Sequence, residues 1–510
     1  MRRVSIPVGG DLALPDVVAV AEGEQVELAP GAFDRMRASR AIVEERVRGG
    51  DTVYGVTTGI GSLATVRISP EQAARLQQDI VRSHATAVGP ALSAEETRAM
   101  LLLRAHVLAL GYSGVRPEIV ELMIEMLNRD VLPVVPERGS LGASGDLAPL
   151  AHLALPLIGG GEAMHRGVTR AGAEALAAAG LRPVVLGAKE GLALVNGTQG
   201  MLAIGILAAE RARTLARAAD VVAAMSVEGA LGTDRPFDER LHALRPHPGQ
   251  LTSAANLRKL LAGSGILASH RESGHLVQDA YSLRCAPQVH GAFRDVLAFT
   301  GGVLEREASS VSDNPIVLPD DGEVVSGGNF HGAPVAAALD ALAGVTVSLA
   351  SISERRLYRL LDPALNNGLP AFLVPDVGLN SGMMLMQYTA ASLVSESKWL
   401  AHPAAVDSIP SSAGQEDHVS MGMTSARHVR ECVGNAEIVV ALEALAAAQA
   451  IDLRAPLAPG PGTDAARRAL RSVVGHLDAD RELGPDIGAA IAFVRSELVP
   501  SVEEAVGPLD

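Results

Sequence analysis

The chain is expected to be mainly α-helical, a bundle of long helices with a loop-rich region toward its N-terminal side. Apolar residues recur at helical spacing over long stretches, few segments show the period-two alternation of a β-strand, and runs rich in Ala, Leu and Val are separated by Gly- and Pro-rich segments. In chain order, Ser93 and Glu96 form a capping box ahead of a helix over Thr97 to Leu110, which Gly111 stops. Pro117 stands as a first helical residue, and Ile119, Leu122, Met123, Met126 and Leu127 follow on one face, the predicted core face. Met201 to Met225, Ala333 to Leu361, Gly382 to Leu400 and Ser425 to Leu453 each read as a long helix, and four such helices suggest a bundle. Aromatic content is only 3%, so small side chains allow close helix packing that is expected to continue into an oligomer interface, a monomeric bundle being the alternative. The intervening loops, Tyr54 to Ser62, Pro136 to Pro149, Gly187 to Gly200 and Ser312 to Pro334, are where a site is expected. Residues 1–200 should form the loop-rich region and 201–510 the central and C-terminal helices, packed as one continuous globular unit.

With 510 residues and 48% hydrophobic content, the chain can bury one or two large cores without disulfides or a structural metal. A net charge of −15 with no long Lys/Arg run argues against nucleic acid or an anionic membrane surface as partner, and favours small-molecule chemistry. Cys285 and Cys432 are far apart and outside any metal-ligand spacing, which suits a reducing compartment. The N-terminus lacks a sustained apolar stretch, and no uninterrupted apolar run reaches about eighteen residues, so a cytoplasmic location is expected.

The run Gly139-Ser140-Leu141-Gly142-Ala143-Ser144-Gly145-Asp146 carries the chemistry. In a bent backbone the amide nitrogen of Gly145 is placed to attack the carbonyl of Ala143. Loss of water, including the Ser144 hydroxyl, then leaves a five-membered ring bearing an exocyclic methylene. Glycine lets the chain bend without a Cβ clash, alanine leaves its carbonyl accessible, and serine supplies the hydroxyl whose loss makes the alkene. The tripeptide alone is weak evidence in a chain so rich in Ala and Gly.

The surrounding GSLGASGDLAPLAHLAL resembles the signature of the aromatic amino acid ammonia-lyase and aminomutase family, whose cyclised Ala-Ser-Gly is methylideneimidazolone. Further ordered matches are YGVTTGIGS, VRSHA, EGLALVNGTQG, VQDAYSLRCAPQV, SDNP, GGNFHGAPVA, SERR and SSAGQEDHVSMG. The resemblance implies the family's ammonia-lyase (fumarase/aspartase-like) fold. It implies a methylideneimidazolone formed from Ala143-Ser144-Gly145 with no external cofactor, and a homotetramer whose four sites each draw residues from three chains. The implied reaction starts with attack of the substrate amine on the ring methylene. A base then removes a β-proton, a poor acid that needs both a positioned base and a stabilised leaving amine.

By the same resemblance Tyr54 is the leading candidate for proton transfer, an aromatic anchor for its Gly-rich loop being the alternative. Tyr281 should lie near the electrophile. Arg284 stands three residues on, so one helical turn would bring both to one face, where Arg284 grips the substrate carboxylate or, alternatively, makes a surface salt bridge. Asn196 and Gln278 match positions that hydrogen-bond the substrate or the prosthetic oxygen, and either also suits a turn. Phe330 resembles the residue lining substrate and ring, and Met384 one that packs against the substrate ring, core positions being the alternative for both.

Two residues bear on substrate. His84 matches histidine- and tyrosine-specific members, whereas phenylalanine-specific members usually carry an apolar residue there. Glu416 stands where tyrosine and phenylalanine enzymes generally resemble Asn-Gln-Asp, and a carboxylate suits an imidazole because it accepts a hydrogen bond from the ring N–H. The implied reaction is elimination of ammonia from L-histidine to trans-urocanate, the entry step of histidine catabolism. Histidine-specific members often read Ser-His-Ala-Ala-Gly where this chain has Ser83-His84-Ala85-Thr86-Ala87, a local exchange bearing on substrate preference. No metal is expected at Gln415-Glu416-Asp417-His418, because consecutive residues of a helix point in different directions and no HExxH partner motif exists. No GxxxxGK[ST] loop or GxSxG frame is present. The competing readings are a tyrosine ammonia-lyase or aromatic aminomutase, against which Glu416 speaks, and a catalytically silent helical scaffold, against which the retained triad, both tyrosines and Arg284 speak. The fumarase and argininosuccinate lyase group is a third, but its Gly-Ser-Ser-x-Met-Pro loop is absent.

Overall fold

The structure, a computed structural model, describes residues 5–273 and 277–510. The chain forms two compact units, each assembled from three chain segments. One comprises Met1–Leu207, Gly301–Asp340 and Pro403–Arg427, and the other Ala208–Thr300, Ala341–His402 and His428–Asp510.

The first unit is organised around the helix Ala94–Ala109. Ser93 accepts from the Glu96 amide at 3.2 Å, and the Glu96 carboxylate accepts from the Ser93 amide at 3.0 Å, closing the capping box that the sequence announces. Every residue from Glu96 to Ala109 is buried, so this is a central helix covered on all sides. Pro117–Asn128 packs against it with Pro117 in the first turn. Short paired strands complete the unit: a parallel pair with Ile6 opposite Val26, antiparallel pairs from Val88–Ala91 with Pro136–Arg138 and from Ile316–Leu318 with Glu323–Val325, and a three-stranded antiparallel sheet from Val131–Pro133, Glu162–His165 and Val168–Ala171. The strands are three or four residues long, and helices dominate.

The second unit is a helical bundle. Hydrogen bonds join residues 208–229 of the helix Gln199–Gly229 to parts of Ala286–Ala308 and Gly422–Asp452, join Gly422–Asp452 to Ala333–Leu361, and tie Met384–Leu400 to the last two. A buried polar network ties them. Asp220 accepts from His290 Nδ1 at 2.7 Å, Ser253 at 2.6 Å, Arg294 at 2.7 Å and Asn256 at 3.0 Å, while Glu443 accepts from Arg356, Ser226 and Ser353. Burial pushes the Asp220 carboxyl up, but Arg294 and the His290 and Ser253 hydrogen bonds more than offset it, bringing it down to about 2. Charges at this depth are tolerated because every lone pair meets a donor.

The four long helices expected from the sequence are present, running Gln199–Gly229, Ala333–Leu361, Met384–Leu400 and Gly422–Asp452. A fifth, Ala286–Ala308, lies where none was expected. Gly291, Gly301 and Gly302 lower its intrinsic helix preference, and it forms because tertiary contacts outweigh that cost. A Cβ at Gly291 would stand 2.4 Å from the Gln250 amide nitrogen, so that glycine is what admits the neighbouring backbone. By length and composition alone Ala333–Leu361 would cross a membrane, but 61% of its apolar window is buried inside the protein, which accounts for its hydrophobicity as core.

One local expectation is corrected. Gln415 to His418 are not on a helix: Ser411 and Glu416 pair across a tight turn in which Ser412 and Ala413 take φ of 49° and 54°, and helix resumes only at Gly422. The argument from side-chain directions on a helix does not apply to these residues.

Candidate active site

The Ala143–Ser144 pair occupies the corner of a tight turn closed by an antiparallel bridge between Gly142 and Gly145. Ser144 has φ 56° and Gly145 φ 77°, successive residues in the left-handed region, which a serine enters only when its surroundings hold it there. Those surroundings are specific. Gly145 pairs with Gly197, whose carbonyl accepts the Asp146 amide at 2.7 Å, and a Cβ on Gly145 would lie 2.0 Å from that same carbonyl oxygen. On the other side a Cβ at Gly142 would lie 2.1 Å from Ser420 Oγ, and the Met421 amide donates to the Leu141 carbonyl at 2.9 Å. Ser140 Oγ accepts from the Gly142 amide at 3.2 Å and donates to Asp146 Oδ1 at 2.9 Å. The turn is thus bent, clamped on both flanks and free of side chains at both glycines, which fits cyclisation of the Gly145 nitrogen onto the Ala143 carbonyl.

Asp146 is a residue that sequence reading passed over. It is fully buried, its Oδ2 accepts the Met201 amide at 2.7 Å in the first turn of Gln199–Gly229, and burial, partly offset by those hydrogen bonds, raises its carboxyl to about 6. It anchors the triad to that helix end. Its signal in the sequence was its place: an acid immediately after Ala-Ser-Gly and before an apolar run.

Tyr54 and Glu416, separated by most of the chain, meet through Gly61. The Tyr54 hydroxyl oxygen accepts the Gly61 amide at 3.0 Å, and a Cβ built on Gly61 would lie 3.4 Å from Glu416 Oε1 and 2.7 Å from Ser412 Oγ, so only glycine, here at φ 56°, fits. Ser412 Oγ accepts the Ser62 amide at 3.2 Å, joining the loop of Tyr54 to the turn of Glu416. Burial raises the Tyr54 phenol above its ordinary value, the Gly61 hydrogen bond opposes the rise, and the charge of Glu416 adds to it. Glu416 Oε2 is buried without a hydrogen-bond partner among the described residues, an acceptor aimed at nothing the protein itself supplies.

His84, half-buried at the end of Pro70–His84, lines a cavity of about 240 Å³ with Ser83, Thr86, Ser140, Ala143 and Gly145. Its Nδ1 lies 2.8 Å from the Ile80 carbonyl, which fixes Nδ1 as the protonated nitrogen, and burial lowers its pKa. Phe330 is half-buried and precedes His331, whose ring stacks on His418 with centroids 5.9 Å apart and whose Nε2 lies 3.2 Å from the His418 carbonyl. Asn196 is buried directly before Gly197, the partner of Gly145. The first unit therefore gathers Tyr54, His84, the triad, Asn196, Phe330 and Glu416.

The second unit holds the rest. Gln278, Tyr281 and Arg284 line a cavity of about 350 Å³ with Arg359 and Asn367. Tyr281–Arg284 is a single helical turn, and the Arg284 guanidinium carbon lies 4.5 Å over the Tyr281 ring centroid, so the two share a face. Tyr281 is 70% exposed. Met384 begins the helix Met384–Leu400 and does not line this cavity, next to the Ser381 and Gly382 amides that donate to Asp480.

The chain matches the family profile described as aromatic amino acid lyase over residues 12–472. It is 56% identical to a histidine ammonia-lyase from Anaeromyxobacter sp. (strain K), covering 95% of this chain and 97% of that one. Among solved structures it resembles a histidine ammonia-lyase from Trypanosoma cruzi, with a TM-score of 0.91, 42% identity, and coverage of 99% of this chain and 96% of the other. It also resembles a tyrosine aminomutase from Streptomyces globisporus, with a TM-score of 0.93, 37% identity, and coverage of 99% and 100%.

Proposed function

The chain belongs to the aromatic amino acid lyase family, and from that premise we propose that it eliminates ammonia from L-histidine to give trans-urocanate. The observation that carries the choice of substrate is Glu416, a carboxylate with an unpartnered buried oxygen in the loop cluster of Tyr54. An imidazole N–H satisfies that oxygen; the ring carbons of a phenyl group cannot, and a tyrosine phenol would have to reach it with its single O–H.

In this reading Ala143, Ser144 and Gly145 form methylideneimidazolone, and when formed the ring supplies an electrophilic carbon for the substrate amine. The remaining work belongs to side chains. Arg284 pairs with the substrate carboxylate through its planar guanidinium fork, and Gln278 beside it adds an amide. Tyr281 shares the Arg284 face and assists proton handling. Glu416 and His84 hold the imidazole, Phe330 and Met384 pack against it, and Tyr54 takes the β-proton. The cytoplasmic location belongs to the same proposal, as does the homotetramer with four sites each drawing on three chains. Sedimentation under assay conditions is expected to find activity only in assembled protein, and a fully active monomer refutes the shared site.

The test is near-ultraviolet absorbance on incubation with L-histidine, L-tyrosine and L-phenylalanine in turn. A rise with histidine alone is expected, and a rise with tyrosine alone overturns the substrate while keeping the reaction class. Glu416→Gln in the same assay should lower histidine turnover by about tenfold or more, the worth of one charge-assisted hydrogen bond, and residual tyrosine turnover much less. An unchanged ratio of the two removes Glu416 as the specificity residue.

A further inference from the structure

Asn196 is 2% exposed, and its side-chain amide is held by one end only. Nδ2 donates to Asp313 Oδ1 at 3.2 Å and to the Asn314 carbonyl at 3.0 Å, which uses both of its hydrogens. Oδ1 is buried and has no hydrogen-bond partner among the described residues. Turning the amide over would set its oxygen against a carboxylate and a carbonyl at those same distances, so chemistry fixes the orientation.

The carboxylate that enforces it is itself fixed. Asp313 Oδ2 accepts from Lys189 Nζ at 2.8 Å, both side chains being fully buried, and Oδ1 also accepts the Asn314 amide at 2.7 Å. Burial works to raise the Asp313 carboxyl, and the charges of Lys189 and Arg104 outweigh it, leaving the group below its ordinary value. Arg104 holds the backbone of the same residue, donating from Nη1 to the Asn196 carbonyl at 2.9 Å. The next residue, Gly197, is the one paired with Gly145.

We propose that Asp313, backed by Lys189, is a positioning residue that makes Asn196 a hydrogen-bond acceptor beside the Ala143-Ser144-Gly145 turn, and that the group this oxygen receives is an N–H donor, the α-amino group of the substrate. An asparagine in the opposite orientation would offer donors to a carboxylate or to a ring carbonyl; this one has none left to offer. The inference rests on the proposed deamination.

The test compares wild type and Asp313→Asn holoenzyme for inhibition by two fragments of the substrate. One is L-histidinol, which keeps the amine and lacks the carboxylate, and the other is 3-(imidazol-4-yl)propanoate, which keeps the carboxylate and lacks the amine. In the variant the amide of Asn196 is free to turn, so the inhibition constant for the amine-bearing fragment should rise by about tenfold or more while that for the propanoate moves less than about twofold. Parallel weakening of both, as a purely structural role would give, or no change in either, overturns the proposal. If Asp313→Asn does not fold, having left Lys189 unpaired, Asn196→Ala keeps the ion pair and carries the same contrast. Should wild type deaminate a different amino acid, the fragments are those of that amino acid, so a wrong substrate appears in wild type and a wrong inference in the contrast. A wild type that deaminates nothing overturns both.

Discussion

Ser144→Ala is expected to lose at least about a thousandfold of its turnover while unfolding within a few degrees of wild type. The size follows from the kind of contribution the hydroxyl makes. Without it the backbone at residue 144 cannot yield an alkene, and the substrate amine has no electrophilic carbon to attack, so what is lost is a whole covalent route. Stability should barely move, because the turn owes its shape to groups other than the hydroxyl: the Gly142–Gly145 and Gly145–Gly197 pairings, the Asp146 amide on the Gly197 carbonyl, and the Ser140–Asp146 hydrogen bond. Alanine also replaces serine at φ 56° at a comparable steric cost. Turnover and melting temperature of the purified variant decide the matter. Activity near wild type would mean that the bent triad is a structural turn and that the elimination, if it occurs, runs without a prosthetic ring.

Much of this arrangement is legible in the sequence. Capping chemistry is local, so Ser93, Glu96 and Pro117 announced their helices within a few residues, and the Ala/Leu/Val runs were long enough for periodicity to override single exceptions. Most of the ordered motifs fall in the first unit, and VQDAYSLRCAPQV and SERR fall in the second. What escaped was whatever depends on contacts distant in sequence. Ala286–Ala308 is helical despite its glycines because Asp220 and Arg356, far away along the chain, receive His290 from it. The Glu416 turn reads as helix in the sequence because a residue such as Ala413 at positive φ leaves no trace in composition. Asp146 and Asp313 stand inside recognised motifs and Lys189 directly before one, but their roles follow from burial, and an acid or base in a polar-looking loop is ordinarily solvated. Arg104 is hidden differently: on a helix that also carries Glu95, Glu96 and Arg98 toward its start, a further charge reads as solvent-facing, and here every residue from Glu96 to Ala109 is buried.

Tyr54→Phe should lower turnover by about a hundredfold to ten-thousandfold, the usual range for a lost general base, with little change in the affinity for substrate. The pH dependence separates this role from that of an aromatic anchor. Burial and the charge of Glu416 raise the Tyr54 phenol above its ordinary value, and the Gly61 amide only partly offsets them. At neutral pH the group is therefore a neutral phenol, and its basic form grows about tenfold per pH unit toward that raised value. If the phenolate takes the β-proton, the logarithm of the rate should climb with a slope of about one through the alkaline range and show no plateau below the ordinary tyrosine pKa. The Phe variant keeps the ring and its packing but has nothing to ionise, so the climb should vanish along with most of the rate. Glu416→Gln provides the cross-check, since removing that charge lowers the phenol pKa and should carry the limb to lower pH. A Phe variant within about tenfold of wild type, with its alkaline limb intact, would return Tyr54 to the role of loop anchor and leave Glu416 or Tyr281 as the group that removes the proton.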